Sequence, residues 1–241
     1  MLRPIAALAF LCLGFCSCLV AEEEDATEER DSSAGLPKEY ASKYLIASTT
    51  LSPDKNMAVI YPKEDDEKGK NFLVALKPFK ILATLETNSP YFAHQSHGGI
   101  NAEWSLDNSI ALITLDSKWG PGDVLLYEIR DGKLARFTNL LGKIRELLKP
   151  DYQKVRPEPY NDEIDFIFDD DMTGGGEGGS RQCVLDGSER VKIQAAATTD
   201  PKRIGGIKAW DAKFEGVWDV AQAKFISEKV KRIFGGKRKD D

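Results

Sequence analysis

His97–Leu134 reads HGGINAEWSLDNSIALITLDSKWGPGDVLLYEIRDGKL. Inside it Ile110, Leu112 and Thr114 alternate with Ala111, Ile113 and Leu115, so both faces of the segment can leave water, as in a strand packed on two sides. A second run, Val124 to Ile129, has the same character. Asp131-Gly132 follows it as a tight-turn dipeptide, and a return strand runs through Leu134, Arg136 and Thr138. Ahead of these strands, Trp104-Ser105-Leu106-Asp107-Asn108-Ser109 carries side chains that accept bonds from nearby backbone amides and tolerate positive φ.

The same order occurs upstream. Leu51-Ser52-Pro53-Asp54-Lys55-Asn56 precedes a strand Met57 to Tyr61, a strand Phe72 to Leu76 and a return strand Lys80 to Leu85. Ser52 to Ser105 is a displacement of 53 residues and Leu73 to Leu125 one of 52, the near-constant offset of two copies of one supersecondary unit. Tyr44 to Thr49 alternates as a further strand ahead of the first copy. Leu140, Leu141, Ile144, Leu147 and Leu148 then take helical spacing, with Thr138 or Asn139 as cap and Pro150 as stop, in a helix suited to cover a sheet edge. The expected fold is therefore mainly β: two blade-like antiparallel repeats, as an incomplete propeller or a sandwich, one covering helix, and a C-terminal β region.

Residues 1–21 combine Arg3, a short apolar core from Ile5 to Phe15 and small residues up to Ala21, the pattern of a cleaved export signal. A minority reading makes Cys18 the lipid-bearing residue of a lipoprotein. Losing these residues leaves 220 and removes one cation, so the formal charge moves from −6 to −7. That acidity argues against a nucleic-acid partner. It also leaves Cys183 as the only thiol, so no internal disulfide framework is available and stability rests on the core. The expected location is periplasmic or extracellular, with no membrane span in the mature chain.

Residues 22–38 read as a disordered acidic linker, 39–149 as the β-repeat domain with its helix, 150–162 as a connector, 163–236 as the C-terminal β region and 237–241 as a tail. Within the C-terminal region Ile164, Phe166 and Phe168 alternate with acids. Val184-Leu185 and Val191 to Thr198 read as a hairpin. Trp210, Ala212 and Phe214 face away from Asp211, Lys213 and Glu215. Residues 220–234 carry two patterns. Asp219 with Gln222 three later suggests a capped helix, and the alternative is a return strand through Phe225 and Val230 after a turn at Val220 to Ala223.

Few residues suggest chemistry. His94 and His97 are the only histidines and stand three apart, a spacing that suits a shared divalent metal with Glu103 as a carboxylate ligand; the plain alternative is a glycine-flanked loop. Trp119 beside Gly120-Pro121-Gly122 suits either a core edge or a partner contact such as a sugar-stacking platform. Gly174, Gly176 and Gly179 satisfy dinucleotide-binding spacing. Three aspartates precede them, however, and a hairpin rather than a helix follows, so a flexible hairpin tip is the reading. Cys183 has no histidine near it in sequence and reads as a small buried apolar residue. No nucleophile elbow, zinc-protease helix or phosphate-binding lysine loop occurs.

Ser52-Pro53-Asp54-Lys55 and Ser105-Leu106-Asp107-Asn108 resemble the Ser-Pro-Asp-Gly blade motif of TolB-type propellers. Along most of the mature chain the order HGGINAEWSLD, KWGPGD, EIRDGKL and GVWDVAQAKFISEKV resembles a group of uncharacterised exported proteins of Gram-negative bacteria. That resemblance implies a strand pair at the C-terminal end, with the return strand starting at Lys224-Phe225-Ile226-Ser227, and implies no activity. The functional expectation is an exported non-enzymatic β protein that binds a protein or glycan in the cell envelope. The alternatives are a metal-dependent hydrolase or sensor using His94 and His97, and a structural envelope assembly factor.

Overall fold

A computed structural model describes residues 31–65, 69–87, 90–117, 120–155, 183–198, 203–204, 207–208 and 210–234. Residues 1–21, read as an export signal with Cys18, residues 22–30, Trp119, most of the connector, the strand expected at 164–168, the glycine run and the tail lie outside the described residues. So does the side chain of Ala196 within its strand.

Three four-stranded antiparallel meanders carry the fold. The first is β1 (Tyr44–Ile46), β2 (Met57–Pro62), β3 (Phe72–Leu76) and β4 (Phe79–Thr84). The second is β5 (Gly99–Trp104), β6 (Ile110–Ser117), β7 (Gly120–Arg130) and β8 (Lys133–Asn139). The third is β9 (Cys183–Asp186), β10 (Arg190–Thr198), β13 (Asp211–Asp219) and β14 (Lys224–Phe234), with the two-stranded excursion β11 (Arg203–Ile204) and β12 (Ile207–Lys208) between its second and third strands. The fold is mainly β, as expected. Residues 220–234 resolve to turn and strand: Gln222 donates its amide to Asp219 Oδ1 at 2.7 Å, so the capping signal is real but closes a turn.

The two repeats match residue for residue at their Ser-x-Asp turns. Ser52 Oγ donates to Asp54 Oδ1 at 2.6 Å and accepts the Met57 amide at 2.9 Å; Ser105 Oγ donates to Asp107 Oδ1 at 2.6 Å and accepts the Ile110 amide at 2.9 Å. Lys55 and Asn108 take φ of 55° and 57° at equivalent positions. Met57 pairs with Ala75 and Ile110 with Glu128, so the offset of 53 continues into the third strand and the equivalent of Leu73 is Leu126, not Leu125. Both serines are buried and satisfy amides that the turn would otherwise strand away from water. Each also holds its aspartate below the usual carboxylate range, chiefly through the serine hydroxyl.

The second sheet is buried on both sides. Ala111, Ile113, Leu115, Leu125, Tyr127 and Ile129 pack with Val59, Tyr61 and Leu73 of the first sheet. On the opposite face Ile110, Leu112, Val124 and Leu126 pack with Val191, Ile193, Phe214 and Trp218 of the third and with Trp210 just before β13. The β-repeat domain and the C-terminal region thus share one core and are not separate units. Two features end the stack. The outer face of the first sheet, with Ile60 and Val74, is covered by Leu36 and the short helix α1 (Lys38–Ala41). The outer face of the third is polar, and its register lines up Lys224, Asp219, Arg190 and Asp186 in one cross-strand row of alternating charge.

Three expectations change. Residues 31–36, read above as part of a disordered linker, are tied to the first sheet: Ser32 bridges Ile46, while Asp31 accepts the Ser48 amide at 2.8 Å, the Ser48 hydroxyl at 2.7 Å and the Tyr61 hydroxyl. β1 stops at Ile46, because Ser48–Thr50 turns into a 3-10 segment. The helix α2 (Leu140–Val155), capped by Asn139 Oδ1 on the Gly142 amide at 2.7 Å, runs through Pro150 and packs against the interior strand β7, so it covers a face and not an edge. Pro150 removes one helical donor, but the residues beyond it are anchored. Tyr152 is fully buried against Trp210, and Asp151 pairs with Arg232 at 2.9 Å and accepts the Trp210 indole N–H at 3.0 Å. Among the described residues no helix is long and apolar enough to cross a membrane.

A polar clamp joins the second and third sheets. Arg136 on β8 donates to the buried Glu128 on β7 and to the carbonyls of Val220 and Ala221 in the β13–β14 turn. Glu128 is only 4% exposed, with Arg136 bonded to it and Arg130 at 3.7 Å as its cationic neighbours. Two outcomes are expected in urea denaturation. Ser52→Ala and Ser105→Ala each lower stability by about 1–3 kcal/mol by orphaning a buried amide. Arg136→Ala costs about 3 kcal/mol or more by leaving a buried carboxylate, whereas Arg136→Met combined with Glu128→Leu costs much less.

Candidate functional site

β1 to β4 alternate in direction, so the loop from β4 into β5 and the loop from β2 into β3 lie at one end of the stack. Gly99 at the start of β5 pairs with Asp116 near the end of β6, which puts the β6–β7 hairpin tip at that end too. Several bonds fix the β4–β5 loop. Asn71 donates to the Tyr91 carbonyl at 2.7 Å and accepts the Tyr91 amide at 2.8 Å, the Ala93 amide reaches the Pro62 carbonyl at 3.0 Å, and Thr49 holds the Ile100 carbonyl at 2.5 Å. The Tyr61 and Tyr91 rings meet edge to face at 4.9 Å. Burial and the hydroxyl's bond to Asp31 raise Tyr61; burial and the Asp31 charge raise Tyr91. Both phenols therefore stay protonated at neutral pH, and the Tyr61 hydroxyl donates to Asp31.

His94 and His97 sit on this loop, exposed to solvent, with φ of 63° and 60°. Left-handed backbone is uncommon outside glycine, and histidine is among the side chains that adopt it more readily; the bonds of Tyr91 and Ala93 hold the segment just before His94. Glu103 does not join them. Its neighbours Ala102 and Trp104 on β5 pack toward the first sheet, and Glu103 points the opposite way, where Oε2 accepts the Leu185 amide of β9 at 3.2 Å. Among the described residues no group of three His, Cys, Asp or Glu side chains is placed to hold a metal ion. The ligand set read from the spacing is thus corrected: strand alternation sends the carboxylate to the other face of the sheet. Trp104, also at the repeat boundary, donates its indole N–H to the Thr50 carbonyl at 2.9 Å and joins the first two sheets.

Cys183 lies at the start of β9, packed against the core shared by the second and third sheets. Burial pushes its thiol up to about 12, and the Glu103 carboxylate adds to the shift. A thiol in that state is a packing group and not a nucleophile. The sequence pointed to the histidines and missed Asp31, Asn71, Tyr61 and Tyr91. Tyr61 reads there as an ordinary core position of a strand, and Asp31 as one more acid in a polar segment, because the contacts that unite them span thirty residues. No family model, curated protein or solved structure matches the chain.

Alkylation checks the assignment of Cys183. Burial raises the thiol well above its ordinary value, so at pH 8 much less thiolate is present in the native chain than in the unfolded one. Iodoacetamide should therefore label the native chain far more slowly than the urea-unfolded chain. Equal rates would place the sulfur in water.

Proposed function

We propose that the chain is an exported, non-enzymatic β protein that binds a protein or glycan partner in the cell envelope through the loop end of its sheet stack. The observation that supports this reading is the β4–β5 loop itself. It exposes His94 and His97 on a backbone already held by the Asn71–Tyr91 and Ala93–Pro62 bonds, next to the Tyr61–Tyr91 pair. A loop fixed before binding loses little conformational freedom on contact, and imidazole and phenol groups offer both apolar area and hydrogen bonds to a partner. Trp119, which lies outside the described residues, is assigned a contact role in this reading from its sequence setting beside Gly120-Pro121-Gly122.

The test is cross-linking from the loop. A photoreactive residue in place of His94, in the full chain, is exposed to envelope extract and to a panel of envelope glycans. One partner should be captured near stoichiometrically, in the presence or absence of chelator, and Trp119→Ala should reduce capture at least tenfold. Capture of nothing, or near-stoichiometric zinc in the purified chain that His97→Ala removes, would overturn the reading; the zinc result would return the metal-dependent one.

A further inference from the structure

We propose that the free edge of β14 is a docking edge for an acidic, extended segment of a partner protein, which adds to the third sheet as a further strand. Strand order β14-β13-β10-β9 leaves one side of β14 without a neighbouring strand among the described residues. At 11 residues it equals β7 as the longest strand of the described fold. From Ser227 to Lys231 both faces of the strand are exposed, while Phe225 packs on the core and Arg232 pairs with Asp151 of α2. Glu228 and Val230 are exposed although they register with the buried Gly216 and Phe214. Ile226 and Val230 are 45% and 41% exposed.

A long edge with exposed branched apolar residues invites pairing, and its charge selects the partner. Lys224, Lys229, Lys231 and Arg232 stand on it against one carboxylate, Glu228, in a chain whose formal net charge is −6. Ion pairs inside the fold take up part of this charge: Lys229 with Glu215 at 3.7 Å, and Arg232 with Asp151 at 2.9 Å. A second copy of β14 would bring lysines against lysines, and like charges across a strand pair repel. A strand alternating carboxylates with apolar residues meets both needs. Its backbone completes the ladder, its acids face the lysines and its apolar side chains cover Ile226 and Val230. This surface rests on the reading of the chain as a binding protein and lies apart from the loop end.

The probe is a labelled ten-residue peptide alternating Glu with Val or Ile, compared with the same peptide carrying Lys for Glu, each titrated into the full chain by fluorescence anisotropy. The anionic peptide should bind at least tenfold more tightly, weaken as salt rises, and slow hydrogen exchange of β14 amides alone. Lys229→Glu with Lys231→Glu should lower its affinity at least tenfold, and Lys231→Gln should lower it less. Equal binding of the two peptides, no binding, protection elsewhere, or protection in the free chain of the alternate β14 amides that point away from β13 would overturn the proposal. Cross-linking from position 94 in the same samples separates the two surfaces: loss of peptide binding with capture retained removes only the edge.

Discussion

Burial of the second sheet on both faces is the constraint from which the other features follow. A strand pair such as Ile110–Leu115 and Val124–Ile129, apolar on both faces apart from Thr114 and Glu128, is stable only with a layer on each side. The first sheet supplies one layer and the third sheet with α2 supplies the other. Each outer layer then meets its own condition. The first sheet still carries Ile60 and Val74 on its far face and needs Leu36 and α1 to cover them, whereas the third alternates cleanly and turns charge to water. The stack ends where the alternation of apolar and polar residues lets it end.

Polar contacts set the register of these layers. Ser52 and Ser105 lock the two hairpins in equivalent geometry, Trp104 and Thr49 tie the first sheet to the second, and Glu128 with Arg136 ties the second to the third. Glu103 belongs to the same set, since its bond to the Leu185 amide spans the second and third sheets. A residue that suits a metal ligand by type is here a tie between layers. Gly216 shows the same economy of space: a Cβ there would come within 2.6 Å of the Phe214 ring, so a core-facing glycine in β13 makes room for an aromatic.

Much of this was legible in the sequence. The repeat, its turns and its strands follow from Ser-x-Asp spacing and period-two runs, both of which are local signals. The helix start at Asn139 was readable for the same reason. What sequence reading placed wrongly depends on distant partners. Asp31 becomes ordered only because Ser48 and Tyr61 wait for it, and α2 passes Pro150 only because Trp210 and Arg232, some sixty and eighty residues later, hold Tyr152 and Asp151. Asp219 and Gln222 wrote a helix signal that the chain spends on a turn. At the candidate site, spacing placed His94 and His97 on one loop correctly but said nothing of which face Glu103 would take.

The layered account is tested most directly by native-state hydrogen exchange. If the second sheet is the shared middle layer, its β6 and β7 amides exchange only through global unfolding and are the slowest in the chain, with β2, β3, β10 and β13 opening earlier or together with them. If β6 and β7 amides exchange faster than those of either neighbouring sheet, the second sheet does not carry the others and the account fails.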